Sequence, residues 1–197
     1  MILRRSGWLV AALAFGGCVH LPRYVLYQDP LSAQEHIRLG NTYDAQGLRE
    51  QAERQFQAAR KLDPDSPEPW VALGNLAYES GQMEQAESLF LRALKKDPRS
   101  AGAANNIAMV FLARERLDEA ERWAKQALWQ NGPLRPYVLD TLAEVYFRQK
   151  RYAEAESATA EALAAAAGHG PALSEHLLSI RRRLELVAPS GRTLARP

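Results

Sequence analysis

The sequence has 197 residues, of which 25 are basic and 23 acidic, giving a formal net charge of +2, and 47% of it is hydrophobic. Such a balance excludes nucleic-acid binding through bulk electrostatics, and the length suits one compact domain or a short repeat array. A single cysteine, Cys18, excludes a disulfide within the chain.

The chain opens with "MILRRSGWLVAALAFGG": Arg4 and Arg5, an apolar run from Trp8 to Phe15, then small residues. That is the three-part layout of a secretory signal. The uncharged run ends at Val19, short of the roughly 20 residues that a membrane-spanning helix needs. At Cys18 a metal site would require further ligands at fixed spacing, and only His20 is near. A catalytic thiol would require a base held beside it. Phe15, Gly16, Gly17 and Cys18 resemble the lipobox of bacterial lipoprotein signals, with Phe15 where leucine is commonest. The resemblance implies removal of residues 1–17, a covalent lipid on Cys18 and a tether over 18–30. Several acyl chains hold a protein stably at a bilayer where one does not. Val19, rather than aspartate, follows the cysteine, which implies the periplasmic face of the outer membrane. The processed chain would have 180 residues with 23 basic and 23 acidic side chains, so the excess positive charge disappears.

The next segment has a period. "LGNTYDAQGLREQAERQFQAARKLDP" from Leu39 and "LGNLAYESGQMEQAESLFLRALKKDP" from Leu73 align at an offset of 34 residues. Gly40, Gly47, Ala52, Phe56, Ala59 and Pro64 recur as Gly74, Gly81, Ala86, Phe90, Ala93 and Pro98. A third copy carries Ala104, Ile107, Ala108, Phe111, Ala120 and Ala127. A fourth carries Leu139, Leu142, Ala143, Tyr146, Tyr152, Ala155 and Ala162, one residue late because of "QNGPLRP". Each copy reads as two amphipathic helices, with apolar residues three and four apart. Asp29-Pro30 and Ser66-Pro67 read as helix starts, and Pro64 and Pro98 as interruptions after a helix.

The pattern resembles the tetratricopeptide repeat, most fully at Trp70, Leu73, Gly74, Ala86, Phe90 and Pro98. It implies an all-α fold, a right-handed α-solenoid of four helix pairs over about 31–65, 66–99, 100–134 and 135–167. After "GHGP", Leu173, Leu177, Ile180, Leu184 and Val187 form one apolar face. Residues 168–187 therefore read as a capping helix over the last repeat, or as a partner-binding helix with a basic contact at Arg181, Arg182 and Arg183. The tail 188–197 reads as disordered.

No catalytic constellation is present in the sequence. His20, His36, His169 and His176 lack zinc-helix spacing, no glycine-rich phosphate loop occurs, and Ser174, Glu175 and His176 on one helix lack the geometry of a relay. The expectation is a protein that is not an enzyme and holds no cofactor or metal beyond the lipid.

In tetratricopeptide proteins the first helix of each pair lines a concave groove. The resemblance places Asn41, Asp44, Asn75, Tyr78, Glu79, Asn105, Met109, Leu112, Asp140, Glu144 and Phe147 there. Asn41 and Asn75 stand one period apart, and an amide that both donates and accepts suits a peptide backbone. The same amides could instead join neighbouring repeats. Asp140 and Glu144 would favour a basic or neutral ligand over an acidic one. The implied partners are envelope proteins or peptides, with the membrane reached through the lipid and no nucleic acid. The architecture is similar to lipoproteins that help assemble type IV pilus secretins and to those that hold peptidoglycan enzymes. Two roles stay open: a scaffold or adaptor in envelope assembly, and a permanent structural subunit of an exopolysaccharide or secretion apparatus.

Overall fold

A computed structural model describes residues 29–130, 132–166 and 170–187. The expected signal, Cys18, most of the tether and the tail 188–197 lie outside the described residues. Among the described residues there are nine α-helices and no strand: α1 (Ala33–Ala45), α2 (Arg49–Leu62), α3 (Glu68–Glu79), α4 (Met83–Lys96), α5 (Ala101–Ala113), α6 (Leu117–Trp129), α7 (Arg135–Arg148), α8 (Tyr152–Ala165) and α9 (Pro171–Val187). The first eight form four consecutive pairs.

Each pair turns in the same way. The residue at the tip of the turn has positive φ, and it is Gly47, Gly81, Glu115 and Lys150 in succession. The amide after it reaches back to the first helix, Leu48 to Tyr43, Gln82 to Ala77, Arg116 to Phe111 and Arg151 to Tyr146, at 2.8–2.9 Å. This is the hydrogen bond of a helix that ends in a left-handed residue. Glycine adopts that conformation without penalty, whereas Glu115 and Lys150 do so at a cost of about 1 kcal/mol each.

Helix starts differ from the sequence reading at both places. Asp29-Pro30 does not begin α1. Ser32 does: its Oγ accepts from the Glu35 amide at 3.3 Å, and Glu35 Oε2 accepts from the Ser32 amide at 2.7 Å. Two donors that a helix end leaves free are thus satisfied. At α3 the start falls one residue beyond the expected one: Pro67 is the N-cap, and Ser66 Oγ just before it accepts from the Glu68 amide at 3.3 Å. Asp63 and Asp97 close the preceding helices, each accepting from the amide two residues on. Pro64 and Pro98 then keep the chain from continuing as helix.

Within the first two pairs the helices meet at glycine. A Cβ at Gly40 would lie 2.4 Å from Phe56 Cε1, and one at Gly74 would lie 2.4 Å from Phe90 Cε1. Both rings are 1% exposed. The corresponding residues are Ala108 with Ala124 and Ala143 with Thr159, all buried. At the first-helix position held by Tyr43 and Ala77 in the first two pairs, α5 and α7 carry Phe111 and Tyr146. The rings of Phe111 and Tyr146 are in turn covered by Arg116 and Arg151 at 4.6 and 4.5 Å.

Stacking gives the array its curvature. The backbones of first helices approach those of their successors closely, α1 to α3, α3 to α5 and α5 to α7, whereas among the described residues the backbones of second helices stay further apart. The crowded first helices therefore lie inside the curve and the second helices outside. α9 continues the inner row, packing on α7 and α8 through Leu173, Leu177, Ile180 and Leu184. Val187, expected on that apolar face, is 45% exposed at the end of the helix and does not join it.

The glycine contact makes a direct prediction. Gly74→Leu forces side-chain atoms into the space of Phe90 and should destabilise the array by roughly 1–3 kcal/mol or more. A Cβ at Gly132 meets nothing within 4 Å, so Gly132→Leu should change little. Thermal melts of the two variants check this; equal losses would mean the helix pair closes elsewhere.

Candidate partner-binding surface

The inner row carries the residues that the repeat pattern assigns to a groove. Asn41, Asn75, Met109 and Glu144 occupy one position on α1, α3, α5 and α7, and Asp44, Tyr78, Leu112 and Phe147 occupy a second. Asn41 and Asn75 are exposed, while Asp44, Tyr78, Met109 and Leu112 are half-buried. Burial raises the pKa of the Tyr78 hydroxyl, with the positive charge of Arg148 offsetting part of the effect. Arg148 thus influences Tyr78 across two repeats. Glu79 is exposed and lies 3.6 Å from Arg49.

Asn75 joins neighbouring repeats: its Oδ1 accepts from Asn106 Nδ2 at 2.9 Å. Its own amide group remains able to donate. Asn105 is not presented to the groove. It is 7% exposed, its Nδ2 approaches Met109 Sδ at 3.8 Å, and its Oδ1 has no hydrogen-bond partner. A polar group enclosed in this way costs stability instead of offering a free contact.

The fourth-repeat residues are occupied by α9. His176 Nδ1 donates to Asp140 Oδ1 at 2.7 Å. Arg183 donates to both oxygens of Glu144 at 2.8 and 3.3 Å, Arg148 donates to Glu144 Oε1 at 2.8 Å, and Arg183 stacks on Phe147 at 4.0 Å. Burial raises the Asp140 pKa, and the His176 hydrogen bond offsets only part of that. For Glu144, burial acts upward, but hydrogen bonds from Arg183 and Arg148 together outweigh it and hold the carboxyl below its ordinary value. The acidic far end expected from Asp140 and Glu144 is therefore not open to a ligand. The reading of Arg181, Arg182 and Arg183 as one basic contact is also corrected, since Arg183 turns inward. Sequence reasoning missed this because the partners lie 36 and 39 residues apart and depend on where α9 docks.

What remains open is the part of the groove built by the first three pairs. It joins amide and carboxylate groups on α1 and α3 to an apolar patch at Tyr78, Met109 and Leu112. Such a surface can hold a segment by backbone hydrogen bonds along one side and side-chain burial along the other. Among the described residues no three His, Cys, Asp or Glu side chains are placed to hold a metal ion. His36 is buried and its Nδ1 hydrogen-bonds Gln55 at 2.7 Å. No described helix is long and apolar enough to cross a membrane.

The tetratricopeptide repeat family profile matches residues 37–93 and 71–136, together just over half of the chain. No curated protein matches the chain in sequence. Among solved structures the fold is similar to that of Pseudomonas aeruginosa pilF, with TM-score 0.69, 23% identity, and 80% of this chain and 71% of that one covered. It is also similar to MamA, with TM-score 0.59, 21% identity, and coverage of 70% and 80%. The Cut9–Hcn1 hetero-tetramer of the APC/C gives TM-score 0.64 and 20% identity over 76% of this chain, which spans 30% of that one. At these identities the likeness is one of fold. With the 34-residue period, the paired helices and their common turn all in place, the chain belongs to the tetratricopeptide repeat family, whose domains bind protein partners.

Proposed function

We propose that the protein is a lipid-anchored scaffold on the periplasmic face of the outer membrane, holding an envelope protein or peptide in the groove of its first three repeats. The observation that carries the binding role is the alignment of Asn41, Asn75 and Met109, beside Asp44, Tyr78 and Leu112, on successive inner helices. Hydrogen-bonding groups stand on α1 and α3, and apolar contacts gather at Tyr78, Met109 and Leu112. That arrangement suits an extended segment laid along the inner row. The anchor rests on the lipobox-like Phe15-Gly16-Gly17-Cys18 after two arginines and an apolar run. Pilus or secretin assembly and peptidoglycan-associated machinery are the settings that the lipoprotein architecture suggests. The scaffold role is one of binding, and catalysis is not part of the proposal.

Cys18→Ser tests the anchor. The wild-type protein should carry lipid mass and fractionate with outer membranes, and the variant should lack the lipid and appear in the soluble periplasmic fraction. A wild type without lipid mass, or a variant that still fractionates wholly with membranes, would sink the anchor.

The groove is tested by two asparagines with different roles. Partners are first captured from envelopes by mild crosslinking and identified by mass, and a peptide from the contact region is titrated. Asn41→Ala should weaken that peptide while leaving the melting temperature unchanged. Each lost backbone hydrogen bond is worth roughly 0.5–1.5 kcal/mol, a loss of about two- to tenfold in affinity. Asn75→Ala should weaken binding and also lower the melting temperature slightly, because it removes the bond to Asn106. Glu156→Lys, on an exposed position of α8, is the control and should alter neither. Loss of binding in the control with no effect at either asparagine would move the working surface out of the groove.

A further inference from the structure

The outer surface carries a second feature that the groove does not use. Between α4 and α6 lies a cleft of about 740 Å³, floored by Leu94 and Trp123. Its α4 wall is an ordered stripe. Glu84 and Glu87 stand at the amino end, Ser88 and Leu91 in the middle, Arg92 and Lys95 at the carboxyl end. All except Glu87 are exposed, Leu91 among the large apolar side chains left open to solvent.

The order of these residues is symmetric about the midpoint between Leu89 and Phe90. Position 84 mirrors 95, 87 mirrors 92, and 88 mirrors 91, with each acid opposite a base. A two-fold axis can use this relation, because residue i on one subunit meets j on the other while j meets i. A foreign partner would require no such symmetry within α4.

We propose that a second copy of this chain docks on the outer face by antiparallel pairing of α4 with α4 across a two-fold axis. Glu84 then faces Lys95 of the partner subunit, and Glu87 faces Arg92 of the partner subunit. Leu91 packs beside the opposing serine and enters the cleft toward Trp123. Antiparallel alignment also sets the two helix dipoles head to tail. Arg114 already pairs with Glu87 at 2.9 Å and Glu84 at 3.3 Å, so one of the two acidic charges is offset within the chain. Arg92 also covers the Trp70 ring at 5.2 Å. The exposed outermost pair, Glu84 with Lys95, therefore carries most of the charge selection. This inference is independent of what the inner groove binds.

The test is a reciprocal charge reversal, read by sedimentation equilibrium of the full chain in mild detergent with micelles in excess. The wild type should dimerise, and high salt should weaken the dimer. Glu84→Lys alone and Lys95→Glu alone should each weaken it by about tenfold or more, since the axis turns one substitution into two like-charge contacts. Mixing the two single variants should restore a dimer, because every contact in the mixed pair again joins opposite charges. The double variant Glu84→Lys/Lys95→Glu should dimerise as the wild type does. A wild type that stays monomeric at all concentrations overturns the proposal. So do single variants that dimerise normally, or a mixture that stays monomeric while both variants retain the wild-type helical signal.

Discussion

How closely two antiparallel helices can lie governs this molecule. In the first two pairs a bare backbone at Gly40 or Gly74 receives the ring of Phe56 or Phe90, and any added side-chain carbon would overlap the ring. In the third and fourth pairs the close approach is kept with Ala108 and Ala124, then Ala143 and Thr159. Thr159 hides its hydroxyl by donating to the Ala155 carbonyl at 2.7 Å, so it serves there as a small filler. The two solutions differ in volume at every position yet preserve the helix pair. Packing density in protein interiors allows little else, since a methyl group too many or too few is felt by its neighbours.

That spacing produces two unlike surfaces. First helices stack directly, and their solvent-facing residues converge into a groove. Second helices diverge, which leaves the cleft between α4 and α6 and gives long side chains gaps to bridge. Several ion pairs cross those gaps, Arg114 to Glu84 and Glu87, and Arg151 to Glu121. Of these only Glu84 is largely exposed, and a surface pair of that kind contributes little, roughly 0–1 kcal/mol. The hydrophobic contacts that hold the stack end at α9. It presents an inner-row face to α7 and α8 and closes the groove at the same time, through Arg183 on Glu144 and Phe147.

The period, the helix pairs and the role of glycine were legible because they depend on residues a few positions apart or on a fixed offset. Gly40 with Phe56 and Gly74 with Phe90 are the same pair seen twice, and repetition is what makes them readable. The third and fourth copies read more weakly for two physical reasons. Their turn positions are held by Glu115 and Lys150 instead of glycine, and Ala124 and Thr159 stand where Phe56 and Phe90 mark the first two copies. The start of α1 was misplaced because Asp29-Pro30 is a local signal, and the stronger pair, Ser32 with Glu35, lies just beyond it. The state of the groove was the least legible feature. Asp140, Glu144 and Phe147 belong to the inner row by periodicity, but whether they face solvent depends on a helix more than thirty residues downstream. Asn105 shows the same limit, since its burial follows from the packing of α5 and not from its place in the repeat.

The open part of the groove and the outer cleft lie on the two helices of one pair, α3 and α4. α4 turns Ala86, Phe90 and Ala93 toward α3 and presents Glu84, Ser88, Leu91 and Lys95 outward. α3 in turn carries Asn75 and Tyr78. A pairing of two chains through α4 would therefore set two grooves facing away from each other, each directly behind the contact. A partner with two binding segments would then meet the second groove at high effective concentration, and avidity would rise without any new contact in either groove. The contact would not need to reshape the groove. Phe90 already fills the space against Gly74, so α4 has no slack to slide on α3 when its outer face is occupied. Interfaces this well packed transmit position and resist gradual deformation. The inner groove should therefore keep its shape, and its intrinsic affinity, whether or not the outer face is engaged.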